Sequence, residues 1–162
     1  YRGVRAASLD SLEHRYLLEP PRLEWLHDEV TLRGRSWPIE DPTDPEAFLA
    51  VAEELVPILG PQAEVTGMFV GVEPGFRYFL GAGTGELEEQ RSLPAGLYLV
   101  VEHQGSATHV VDTLTWLGTQ LHTDLITVTR HPHAERFRLA DLRGEALHLS
   151  IWVGVEAVRT AP

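Results

Sequence analysis

The run His131-Pro132-His133-Ala134-Glu135 sets two imidazoles and a carboxylate at alternate positions. On an extended strand, positions i, i+2 and i+4 share a face, so these are the ligand types of a non-haem iron or zinc site. Pro132 favours a loop or strand edge, and no cupin-type spacing surrounds the run. Exposed loop histidines are the plainer reading, and neither a metal nor another cofactor is expected. Gly81-Ala82-Gly83-Thr84-Gly85 could cradle a phosphate only by opening a helix. Glu86-Leu87-Glu88-Glu89 and then Pro94 follow it, so it reads as a turn in a β meander. Ser8, Ser11, Ser36, Ser92, Ser106 and Ser150 lie in no Gly-x-Ser-x-Gly frame, which argues against a serine hydrolase.

Two further places mix polar groups with apolar ones. The closing strand, Leu147 to Val155, alternates: Leu149, Ile151, Val153 and Val155 share one face, and His148, Ser150, Trp152 and Gly154 the other. The first set suits a sheet surface packed under helices. The second has the make-up of a ligand cleft, apolar walls with a few placed polar atoms; a solvated sheet face with one Trp would look the same. Glu102 stands among Val100, Val101 and His103. A carboxylate there suits a cation site, general acid–base work, or a salt bridge to an arginine. Tyr98 shares its strand face and would wall a pocket. Tyr78 and Phe69 are the matching aromatics of the first half. Trp116 either closes one end of such a pocket or packs against the sheet.

The elements that must hold these residues are legible from periodicity. Residues 1–21 read as an appendage, with Ser8 capping a short helix that Pro20-Pro21 end. Arg22 to Trp37 is extended, and Pro38, Pro42 and Pro45 mark a loop. Thr43 with Glu46 forms a capping box; Phe48, Val51, Ala52, Leu55 and Leu59 follow at helical spacing, and Pro57 should kink or shorten that helix. Two strands, Val65 to Val72 and Phe76 to Ala82, flank a turn at Glu73-Pro74-Gly75. The order then recurs: extended chain at 86–91 and 97–103, a helix capped by Ser106 with Ala107, Val110, Val111, Leu114, Leu117 and Leu121 as its buried stripe, then strands at 135–139 and 147–155. Two strand-helix-strand-strand units imply an α+β domain, one antiparallel sheet with both helices on one face.

Composition narrows the chemistry. The 162 residues suffice for one core and carry net charge −11. Such a surface repels phosphate backbones, so no direct nucleic-acid contact by this segment is expected. Cysteine and lysine are absent, which excludes disulfides, thiolate sites and Schiff-base chemistry. There is no run of about 18 apolar residues and no leader pattern, so a cytoplasmic protein without membrane contact is expected. The chain begins at Tyr1, and a DNA-binding module could precede it. Oligomeric state is left open.

The segment Leu93-Pro94-Ala95-Gly96-Leu97-Tyr98-Leu99-Val100-Val101-Glu102-His103, the helix bearing Trp116-Leu117 and the closing Ile151-Trp152-Val153-Gly154-Val155 resemble the GyrI-like superfamily over about residues 22–158. That superfamily includes effector-binding domains of bacterial regulators and free-standing relatives. The resemblance implies a duplicated fold with a cleft on the concave sheet face, at the junction of the two units, that binds lipophilic, aromatic or cationic small molecules, as an effector, multidrug-sensing or sequestering domain. Trp152 matches the aromatic of the family's last strand, while Ser150 replaces its Glu and Gly154 its Pro. Glu135-Arg136-Phe137 matches Glu-x-Tyr with Phe in place of Tyr. Glu135 and Glu102 are thus the candidate cleft acids, with Trp152, Ser150, His148, Tyr98, Tyr78, Phe69 and Trp116 around them. The resemblance also allows a hydrolase of strained, cyclopropane-containing electrophiles, and a protein-interaction module.

Overall fold

The computed structural model describes residues 16–41, 44–70, 76–121, 126–129 and 133–157. The strands are β1 (Arg22–Leu26), β2 (Val30–Ile39), β3 (Glu64–Val70), β4 (Phe76–Ala82), β5 (Glu89–Leu93), β6 (Gly96–Gln104), β7 (Ile126–Val128), β8 (Ala134–Arg138) and β9 (His148–Ala157). The helices are α1 (Pro45–Leu59) and α2 (Val110–Gln120). All strand pairs are antiparallel, in the order β1-β6-β9-β8-β3-β4-β2-β5, with β7 on β9. The order β6-β9-β8 mirrors β2-β4-β3, so the two strand-helix-strand-strand units meet at the β3·β8 pair. This is the α+β architecture expected from the repeated element order.

Helix α1 begins where Asp44, not Thr43, caps: its carboxylate accepts from the Glu46 amide at 3.0 Å, with Pro45 in the first turn. Thr43 and the Glu73-Pro74-Gly75 turn fall outside the described residues, as does Ser8. Pro57 neither shortens nor ends the helix, which runs on to Leu59. It sits in the last turn, where only one ladder bond is forfeited, and Gly60 at φ 90° closes the end with its amide on the Val56 carbonyl at 2.8 Å. Ser106 caps a 3₁₀ turn, Ala107–His109, rather than α2 itself, and its hydroxyl pairs with Thr108. The extended chain expected at 86–91 is shifted, to Glu89–Leu93.

The main core lies between the helices and one sheet face, with Leu55, Leu80, Val101 and Ile151 essentially inaccessible. Burying each such side chain contributes roughly 1.5–3 kcal/mol. The opposite face is concave, because strands from the two ends of the order meet there. Leu93 of β5 packs with Tyr98 and Val100 of β6 and Ala134 of β8, and Leu32, Met68, Val70 and Phe79 form a neighbouring cluster. Leu17 bridges to His103, and the Leu18 amide bonds the Glu102 carbonyl, so the N-terminal segment adds to the edge of β6.

Candidate functional site

Strand β8 sits at the junction of the two units and presents successive residues to opposite faces. Glu135 and Phe137 point to the helices; Ala134, Arg136 and Arg138 point away. In the β3·β8 register Glu135 lies opposite Gly67. The missing side chain at Gly67 is filled by a neighbour: Tyr78 leans across β3 so that a Cβ on residue 67 would fall inside the contact radius of its Oη and Cζ. Tyr78 therefore reaches towards Glu135. Burial, and then the Glu135 charge, raise the Tyr78 phenol well above its ordinary pKa.

Around this point the helices close an apolar cavity of about 60 Å³, with Phe48, Leu49 and Ala52 from α1 and Val110, Val111 and Leu114 from α2. Phe48, Phe69 and Tyr78 form an edge-to-face trio, with ring centroids 4.7 Å apart for Phe48–Tyr78, 5.3 Å for Phe69–Tyr78 and 5.7 Å for Phe48–Phe69. Glu135 is 8% exposed, and its ion contact among the described residues is His133 Nε2 at 3.7 Å. His133 and Glu135 thus do share a face, as the alternation suggests; His131 lies outside the described residues. No group of three or more metal-ligating side chains occurs among the described residues.

The remaining predicted residues do not join them. Trp152, Ser150, His148, Glu102 and Tyr98 belong to the concave face, one sheet thickness away from Phe69, Tyr78 and Glu135. The two sets therefore lie on opposite faces of the sheet and do not share one concave-face cleft. Glu102 is buried by its own partners: Ser150 Oγ donates to one carboxylate oxygen, while His148 Nε2 at 3.3 Å and Arg22 Nη1 at 3.6 Å contact the other. Its carboxylate faces away from the helix-covered cavity. Tyr98 Oη donates to the Pro94 carbonyl at 2.6 Å and its ring packs on Trp152, fastening the turn before β6. Trp116 packs partly buried against the main core and does not line the cavity.

Sequence reasoning missed three contributors. Gly67 carries the site by lacking a side chain; a glycine inside a strand is the available signal of a close approach. Phe48 was read as one more helix-stripe residue, yet it is the aromatic lid over Tyr78. His103 on β6 is fully buried, with Nδ1 2.8 Å from Thr113 Oγ1 on α2, and this pins the second helix.

The duplicated, curled antiparallel sheet with two helices on its outer face is the GyrI-like fold. Among solved structures it is similar to SAV2435 bound to tetraphenylphosphonium, with TM-score 0.62 and 20% identity over 84% of this chain and 93% of that one. It is likewise similar to an integron cassette protein of Vibrio cholerae (TM-score 0.62, 16% identity, 88% and 100% of the two chains). The C-terminal domain of EcmrR matches with TM-score 0.62 and 12% identity, over 88% and 100%. No family model and no curated protein matches the sequence.

Proposed function

We propose that this domain binds a lipophilic cation in the helix-covered cavity, over Glu135, as an effector-sensing or sequestering domain. The observation that carries the reading is Glu135 itself: a buried carboxylate set in a wall of Phe48, Phe69 and Tyr78, with no arginine in contact with it among the described residues. Aromatic faces attract a cation through their quadrupoles, and a carboxylate shielded from water attracts it more strongly than an exposed one. The similar fold of SAV2435, which is bound to a cation of this class, supports the reading.

The cavity of about 60 Å³ is far below the ~300–1,000 Å³ of small-molecule sites. Entry of such a ligand thus requires α1 and α2 to part, and binding energy is partly spent on that opening. If a DNA-binding segment accompanies the domain, as in the EcmrR–DNA complex whose chain this domain matches over 57% of its length, opening supplies the signal it reads.

The test is a titration with tetraphenylphosphonium against neutral triphenylphosphine oxide, followed by backbone chemical shifts. The reading expects saturable binding of the cation, weaker binding of the neutral compound, and shifts on α1, α2 and β8. Shifts confined to the concave face would refute it. Consumption of a cyclopropane electrophile in the same tube, with Glu135 required, would make the site a hydrolase instead.

A further inference from the structure

We propose that the concave face carries a second, separate site that takes a small planar monocarboxylate, anchored by Arg136. Glu102, Ser150, Arg136 and Thr66 are successive cross-strand neighbours on β6, β9, β8 and β3, so all four project from the same face. Ser150, Arg136 and Thr66 of this row border a cavity of about 450 Å³, within the range of small-molecule sites and on the opposite side of the sheet from the helices.

Most charges there are already matched. Arg138 contacts Asp141 at 3.6 Å and donates to Gln62 at 3.4 Å. Glu102 is held by Ser150, His148 and Arg22. Arg136 differs: among the described residues its guanidinium has no ion pair and no hydrogen bond, and it lies 5.6 Å from the centre of the Trp152 ring. The cation–π contact holds the guanidinium beside the Trp152 face, and its donor fork, which can receive a carboxylate in two parallel bonds, has no partner among the described residues. Among the described residues no carboxylate pairs with this arginine, so its donors are open to a ligand's.

The rest of the lining sets the ligand class. Trp152, Val30 and Leu32 offer apolar surface for a flat body, and Thr66 contributes a hydroxyl beside the anchor. Glu64, also in the lining, disfavours multiply charged anions, which selects a monocarboxylate over a phosphate ester. Because Arg136 and Glu135 are adjacent on one strand but face opposite ways, the two sites are chemically opposite and physically separate.

Calorimetric titration of the whole chain with benzoate, benzamide and phenyl phosphate tests this. Benzoate should bind saturably, and benzamide and phenyl phosphate each about tenfold more weakly, as loss of a charge-assisted bond or added repulsion predicts. Arg136→Gln should weaken benzoate about tenfold and leave benzamide unchanged; Arg136→Lys, which keeps the charge but loses the fork, should fall between. Tetraphenylphosphonium binding should be the same in both variants, so failure of the helix-side reading would not touch this one. Absence of saturable benzoate binding, equal binding of benzamide, or wild-type affinity in a folded Arg136→Gln variant would each overturn the proposal.

Discussion

Substituting Gly67 by Ala should destabilise the domain through Tyr78 and nothing else. Ordinarily this change inside a strand gains stability, about 0.5–1 kcal/mol, by narrowing the unfolded ensemble. Here the new Cβ meets Tyr78 Oη and Cζ within contact radius and stands 3.2 Å from Cε1. Tyr78 is 2% exposed and wedged by Phe48 and Phe69, so its ring has nowhere to go without moving those neighbours. Overpacking of this kind costs about 1–3 kcal/mol, which exceeds the gain and leaves a net loss of about 1–2 kcal/mol. For a chain of this length that is a fall in Tm of roughly 3–6 °C. The assay is urea unfolding of wild type, Gly67→Ala, Tyr78→Leu and the double variant. In the Tyr78→Leu background the cost should vanish or reverse, giving a coupling of about 1 kcal/mol or more. A neutral Gly67→Ala, or the same loss in both backgrounds, would refute the claim that Gly67 exists to seat Tyr78.

Three other outcomes follow from the same geometry. Burial and the Glu135 charge keep Tyr78 protonated in the folded state above about pH 10, where the unfolded chain releases that proton. The folded state then binds more protons, so stability should fall with rising pH from about 10 upward, and less steeply in Tyr78→Phe; unfolding free energies across that range decide it. Ser150→Ala removes the hydroxyl donor to the buried Glu102 and should cost about 1–3 kcal/mol in urea unfolding, without altering tetraphenylphosphonium binding. Thr113→Val removes the hydroxyl that faces Nδ1 of fully buried His103 and should cost a similar amount, with faster amide exchange along α2 as its local signature.

Alternation and helical spacing carried the fold: the apolar stripes of α1 and α2 and the two-faced β9 lie where their periods put them. Glu135 stood out through the His-x-His-x-Glu run and the family resemblance, and Tyr78 and Phe69 as the matching aromatics of the first half. Their separation from Trp152, Ser150, His148 and Glu102 was not, because it depends on which face of β8 pairs with which face of β3. That register is set by contacts between strands about 70 residues apart in sequence. Gly67 was silent for a related reason, since a glycine's role is defined by what fills its place. The continuation of α1 through Pro57 reflects position: a lost ladder bond in a last turn is cheap, and the Gly60 cap completes the end. The capping residue moved by one, from Thr43 to Asp44, within the usual uncertainty of helix ends.

The most direct test of the account is tetraphenylphosphonium affinity in Glu135→Gln and Glu102→Gln, measured by calorimetry beside the wild type. At an effective dielectric of about 20 and a separation of about 6 Å, one carboxylate contributes about 3 kcal/mol, so Glu135→Gln should weaken binding roughly a hundredfold. Glu102→Gln, on the far face, should leave it unchanged. Equal affinity in wild type and Glu135→Gln, or a loss confined to Glu102→Gln, would contradict a cation site beneath the helices.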